Sequence, residues 1–204
     1  MFFGKPIIGL LGGIGSGKSY IAGLFAEFGC MAIHSDNLVD DAYNGATVLD
    51  TLRQWWGGSV FNPDGRVNRK AISNRIFANA DDRRRVQSLL HPLVAQYRDR
   101  MMKAGAEDAK IRAFVWDSPL ILETGLESQC DALVFVDAPL EARLARVSAR
   151  RGWNEGELSR REKLQRPLDN KRRISDYVID NTADADYARG QVKDVLFRIL
   201  GKRS

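Results

Sequence analysis

From Gly12 to Ser19 the chain reads Gly-Gly-Ile-Gly-Ser-Gly-Lys-Ser, which fits G-x-x-x-x-G-K-[ST] without a mismatch. The apolar run Pro6-Ile7-Ile8 precedes it and the amphipathic run Ile21 to Phe28 follows. Glycines at these positions let consecutive N–H groups turn inward as an anion nest, and the positive end of the following helix adds to the same field. Lys18 is spaced to reach β- and γ-phosphates, and the Ser19 hydroxyl suits one octahedral position of Mg²⁺. The pattern therefore implies a bound nucleoside triphosphate. A tight turn alone would need one or two glycines and would leave the Lys-Ser pair unexplained. A dinucleotide site is disfavoured too, because no acidic residue closes the second strand as a ribose clamp.

Two carboxylates extend this chemistry. Asp36, in Ile33-His34-Ser35-Asp36, falls just past the second apolar run, at the carboxyl edge of a sheet where α/β folds bind ligands. An acid there orients an alcohol and accepts its proton, although it could instead cap a helix beginning near Asn37, a task open also to Ser35. Asp117 ends the run Phe114-Val115-Trp116, a strand with a terminal acid that would hold Mg²⁺ directly or through water; strands also end in Asp for turn reasons alone. Arg143, Arg146 and Arg150 share one helical face beside Leu140, Leu144 and Val147. That face is either solvated or cationic over transferring phosphates. The continuation Arg150-Arg151-Gly152-Trp153 and a charged helix over Glu157 to Arg166 favour a mobile lid. By contrast, Arg83-Arg84-Arg85 follows a helix start and reads as surface.

The elements that must position these groups alternate as in an α/β fold. Ile7–Leu11, Met31–Ile33, Ala113–Trp116, Leu133–Val136 and Tyr177–Ile179 are short apolar runs, the pattern of strands covered on both faces in a five-stranded parallel sheet. Ile21, Leu24, Phe25 and Phe28 mark the first helix, stopped by Gly29, and complete a compact right-handed βαβ unit. The segment between the second and third strands far exceeds one crossover helix. It reads as helices over Leu38 to Trp56, Arg69 to Phe77 and Asp81 to Lys103, with a turn at Asn62-Pro63-Asp64-Gly65 and a kink or break at His91-Pro92. This is expected to be a helical subdomain that holds a substrate.

Composition bounds the function. With 204 residues, 44% hydrophobic and 28% charged, the chain suits one globular domain with an insertion. No apolar stretch approaches the roughly 20 residues of a membrane helix, and the N-terminus lacks a secretion signal, so a cytoplasmic protein is expected. Cys30 and Cys130 lack metal or redox spacing and read as small hydrophobes. The net charge of +5 is spread over several helices without an aromatic-basic signature, which fits an anionic small substrate better than nucleic acid.

Taken together, these residues resemble the dephospho-coenzyme A kinase family almost end to end. The glycine loop resembles its opening, Ser35-Asp36 its acidic element, and Phe77 through His91-Pro92-Leu93-Val94 its helical segment. Pro119-Leu120-Ile121-Leu122-Glu123, Arg161-Glu162-Lys163-Leu164-Gln165 and Asp176-Tyr177-Val178-Ile179-Asp180-Asn181 match its later motifs in order. The resemblance implies a P-loop kinase core across residues 1–204, with a helical CoA-binding insertion at 38–110 and a lid at 146–172. It implies transfer of the ATP γ-phosphoryl group to the ribose 3′-hydroxyl of dephospho-CoA with Mg²⁺, by a monomer that contacts neither nucleic acid nor membrane. Asp36 would be the base, with Lys18 and Arg146 also catalytic, and Arg143 or Arg146 with the lid arginines would stabilise the moving charge. Gly13, Ile14, Gly15, Ser16, Gly17, Lys18, Ser19 and Tyr20 would cradle ATP, and Ser19 and Asp117 would hold the metal. Two positions depart from the family pattern. His34 replaces the first acid of D-x-D with an imidazole. Tyr20 replaces a common threonine, leaving its backbone N–H for the α-phosphate. On the residues alone, another small-molecule kinase, a nucleotide-binding regulatory module and a nucleic-acid-binding ATPase stay open as rivals.

Overall fold

All five apolar runs form strands, and every pairing between them is parallel, in the spatial order β2-β3-β1-β4-β5. The computed structural model describes residues 1–182 and 184–201. Along the chain run β1 (Ile7–Gly12), α1 (Lys18–Glu27), β2 (Cys30–His34), α2 (Ser35–Tyr43), α3 (Ala46–Trp56), α4 (Arg69–Ala78) and α5 (Ala80–Glu107). There follow β3 (Ala113–Asp117), β4 (Ala132–Asp137), α6 (Leu140–Arg151), α7 (Glu155–Glu162), α8 (Leu168–Arg173), β5 (Tyr177–Asp180) and α9 (Ala185–Gly201). Two compact units emerge, one made of residues 1–34 and 104–204, the other of residues 35–103.

In the first unit, β1 and β3 are buried at every position, as the middle strands of a sheet covered on both faces must be. One core joins Ile8 and Leu10 of β1 to Ile21, Leu24 and Phe25 of α1 and to Val192, Leu196 and Ile199 of α9. The i, i+3, i+4 spacing in α1 is thus the footprint of a helix lying on the sheet. Gly29, at φ 82°, ends that helix and turns the chain into β2.

The second unit has its own core, built around Tyr43, Leu52, Trp56, Ile72, Val86 and Leu90. Arginines seal its rim by stacking on rings: Arg69 on Tyr43 at 4.3 Å, Arg75 on Trp56 at 4.8 Å and Arg85 on Trp55 at 4.2 Å. The turn at Asn62 to Gly65 is present, with the Gly65 N–H donating to the Asn62 carbonyl at 2.9 Å.

Three expectations need correction. The helix expected over Leu38 to Trp56 is two helices, α2 and α3, parted at Asn44-Gly45, where Gly45 is extended at ψ 133°. Asparagine and glycine are both weak helix formers, and the break lets each short helix aim its own apolar stripe, Leu38 and Ala42 or Val48 and Leu52, at the core. The helix α5 runs unbroken through Pro92. A proline there costs one hydrogen bond and about 3 kcal/mol, offset by the burial of Val86, Leu90 and Met102 along the same helix. The charged helix expected over Glu157 to Arg166 is instead α7, which starts earlier because the Asn154 side chain caps it by accepting from Glu157 N at 2.9 Å. Its successor α8 begins only after Pro167.

Candidate functional site

The strand β1 ends at Gly12, whose φ of 146° and position beside the Val136 carbonyl, 2.7 Å from where a Cβ would sit, admit only glycine. From there the loop climbs to Gly17, which precedes α1 in the left-handed region at φ 93°. Among the described residues no side chain caps α1, and no acid stands in its first turn, so its leading N–H groups and positive end suit an external anion. Lys18 folds back over the loop, its Nζ donating to the carbonyls of Gly12 at 3.1 Å and Gly13 at 2.9 Å. The Ser16 side chain is buried, and its Oγ has no hydrogen-bond partner among the described residues. Tyr20 points its ring outward, 43% exposed.

Parallel pairing of β2 with β3 sets His34 against Asp117 at the carboxyl ends of both strands. Asp117 is buried, and its Oδ2 accepts from the Ser19 hydroxyl at 2.5 Å and lies 2.9 Å from His34 Nδ1. Hydroxyl and carboxylate are hard oxygen donors placed at the foot of the phosphate loop. The described residues contain no group of three or more His, Cys, Asp and Glu side chains able to hold a metal ion. That donor set fits Mg²⁺, which keeps waters and takes substrate phosphates as ligands, and does not fit an all-protein cage.

Arg143, Arg146 and Arg150, expected on one face of α6, have different fates. Arg146 spans the back of the loop, with NH1 donating to the Gly15 carbonyl at 3.3 Å and the Ser16 carbonyl at 3.1 Å, and NH2 to the Asn181 carbonyl at 2.8 Å. Arg143 is buried and ion-paired with Glu162 of α7. Arg150 is exposed. Asn181, at the end of β5, donates from Nδ2 to the Ser16 carbonyl at 2.8 Å and is itself buried. Together Arg146 and Asn181 take up loop carbonyls, which leaves the N–H side of the loop for the ligand.

Asp36 belongs to the second unit. It stands exposed in the first turn of α2, which begins at Ser35, ahead of the expected start at Leu38, and follows directly on β2. The structure thus brings together Lys18, Ser19, Asp117 and Arg146 within the first unit, and joins Asp36 to them through the chain.

Neither Asn181 nor Glu162 carries a local signal of its contact with the loop; each lies within a stretch that resembles the family pattern. A buried charged group also ties the stretch after β3 to α8. Lys171, 2% exposed, donates to Gln165 Oε1 at 2.9 Å and lies 3.5 Å from Glu123 Oε1, which in turn accepts from Arg166 N at 2.6 Å. Burial pulls the Lys171 ammonium below the ordinary lysine range, with Glu123 opposing the shift. A cavity of about 350 Å³ opens between α7 and α8, lined by Glu162, Lys163, Gln165 and Arg166 among others.

The family model for dephospho-CoA kinase, CoaE, matches residues 6–186. The chain belongs to the dephospho-CoA kinase family. It is 34% identical to the dephospho-CoA kinase of Corynebacterium efficiens, over 95% of this chain and 96% of that one. It is also 34% identical to that of Anaeromyxobacter dehalogenans, over 97% of this chain and 93% of the other. Among solved structures, the dephospho-CoA kinase from Campylobacter jejuni shares the fold with a TM-score of 0.69 at 19% identity, covering 98% of this chain and all of that one, 100%. The chain is thus an ATP-dependent kinase that moves phosphate to a hydroxyl, on a five-stranded α/β P-loop kinase fold. No described helix is long and apolar enough to cross a membrane.

Proposed function

We propose that this kinase transfers the γ-phosphoryl group of ATP to the ribose 3′-hydroxyl of dephospho-CoA, with Asp36 as base and Mg²⁺ held by Ser19 and Asp117. The observation that carries the reading is the meeting of Ser19 Oγ and Asp117 Oδ2 at 2.5 Å beside Lys18, at the mouth of a loop whose carbonyls are already occupied.

In this reading the N–H groups from Gly13 to Tyr20 hold the phosphates, with Lys18 as a point charge on the β- and γ-positions. Bound Mg²⁺ would draw charge from the transferring phosphoryl oxygens. Asp36, two residues past β2, accepts the proton of the 3′-hydroxyl as its oxygen bonds to the γ-phosphorus. The bond from that phosphorus to the β–γ bridging oxygen breaks, and ADP leaves with the electron pair. Arg146 holds the loop in register and adds positive charge behind it. Residues 38–110 take the dephospho-CoA. Residues 146–172 act as the lid. The reading carries with it a monomer working in the cytoplasm on a small molecule, apart from nucleic acid and membrane; the buried thiol of Cys30 supports that compartment.

The test is ADP release with ATP, Mg²⁺ and dephospho-CoA, beside AMP, a nucleoside and no acceptor, with the product weighed by mass spectrometry. One added phosphate on dephospho-CoA alone is the expected result. Equal turnover with AMP or a nucleoside would overturn the substrate assignment.

A further inference from the structure

Glu162, the last residue of α7, reaches the phosphate loop. Its Oε1 accepts from the Ile14 N–H at 3.3 Å and pairs with NH1 of Arg143, which also lies 3.5 Å from the Ile14 carbonyl. Both partners sit where solvent screening is weak, at 7% side-chain exposure for Arg143 and 22% for Glu162. The carboxylate therefore uses one N–H of the anion nest and one cation beside it. These are the kinds of donor that a nucleotide phosphate takes. The Arg143 guanidinium has spare capacity, since its Nε is buried and has no hydrogen-bond partner among the described residues.

We propose that Glu162 is a resident anion of the phosphate loop, which docks α7 on Ile14 and Arg143 and competes there with the terminal phosphates of the nucleotide. The inference rests on ATP being the bound nucleotide and deepens that reading. One N–H cannot serve two anions fully, and a carboxylate beside a triphosphate repels it. Nucleotide entry therefore drives Glu162 off the loop and turns Arg143 from carboxylate to phosphate. The cavity between α7 and α8 gives the displaced side chain a place, with Lys163 and Arg166 in its lining. The position of α7 is in this way set by which anion holds Ile14.

The sign of the effect separates competition from a structural staple. In a folded Glu162→Gln variant, which keeps an acceptor for Ile14 but loses the charge, calorimetric titration should show ATP bound about tenfold more tightly. AMP, which has no β- or γ-phosphate, should bind with unchanged affinity. Glu141→Gln removes the same charge from an exposed site on α6, outside the lid, and should leave the ATP affinity as it is. Should the glutamine variant not fold, Glu162→Asp, one methylene short of the loop, should tighten ATP by a smaller factor. Unchanged or weaker ATP binding in a folded variant overturns the proposal, even if acceptor-dependent turnover persists and the kinase reading stands. If the wild-type chain binds no ATP, both fall together.

Discussion

Ser19 and Asp117 are 98 positions apart in sequence, yet the serine hydroxyl donates to the aspartate Oδ2 at 2.5 Å. The contact exists because β1 and β3 are parallel neighbours, so the loop after one strand and the last residue of the other share a sheet edge. His34 meets the same oxygen from β2 at 2.9 Å. With two groups on one oxygen, the carboxylate is held in one orientation.

The first prediction follows from that contact. Asp117→Asn keeps the size of the side chain but removes the charge that holds a divalent cation. The Mg²⁺ concentration for half-maximal rate should rise about 10- to 100-fold, the range seen when metal-site partners are removed. Ser19→Ala should shift the same titration in the same direction. Unchanged Mg²⁺ dependence in both variants would remove these residues from the metal site.

A second prediction separates binding from chemistry. Asp36→Asn should lower turnover by about 10²- to 10⁴-fold, the usual contribution of a positioned base, with ATP affinity unchanged. Lys18→Ala should lose affinity and turnover together, because its charge acts on the triphosphate before and during transfer. Near-normal turnover of the Asp36 variant would exclude it as base.

How much of this was legible in the sequence depended on whether the signal was local. The strands were readable because a doubly covered strand is apolar at every position, as Phe114 and Val115 are. The glycine loop was readable because Lys18 and Ser19 stand at fixed offsets from Gly12. The break at Asn44-Gly45 and the passage of α5 through Pro92 turn on which apolar faces find a core, and spacing alone does not weigh that. Asn181 and Glu162 were silent for another reason. Each acts on the loop through a fold contact, |i−j| being 165 for Asn181 with Ser16 and 148 for Glu162 with Ile14. His34 was conspicuous as a departure from the family pattern, but its partner Asp117 became visible only with the strand register.

Cys30 gives a third prediction. It begins β2 inside the core, and burial pushes its thiol up to about 12, with nearby Arg112 opposing. Against an ordinary value of 9.0, that lowers the thiolate fraction at pH 8 about a thousandfold. Native protein treated with iodoacetamide at pH 8 should leave Cys30 unmodified by mass spectrometry, and denatured protein should modify it fully. Rapid alkylation of Cys30 in the native state would contradict its place in the core.

The last prediction concerns Lys171 and Glu123, which tie α8 to the segment after β3. Lys171→Met leaves the Glu123 carboxylate, 17% exposed, without its cation. Removing one partner of a buried pair costs about 3 kcal/mol, and in a chain of this size that is a fall in Tm of roughly 6–12 °C. Adding Glu123→Gln removes the orphaned charge and keeps an acceptor for Arg166 N, so the double variant should be more stable than the single one. The pH dependence has a definite sign. Burial places the folded-state pKa of Lys171 below the ordinary 10.5, so between the two values the unfolded chain holds the extra proton and stability rises with pH. Cys30 acts oppositely from about 9.0 upward, since there the folded chain holds the extra proton. Comparing denaturant midpoints of wild type and Lys171→Met across the alkaline range cancels the cysteine. The stability advantage of the wild type should grow toward pH 10.5 and then level off. A constant difference between the two would mean that Lys171 keeps its proton in the folded chain throughout, and that Glu123 outweighs burial.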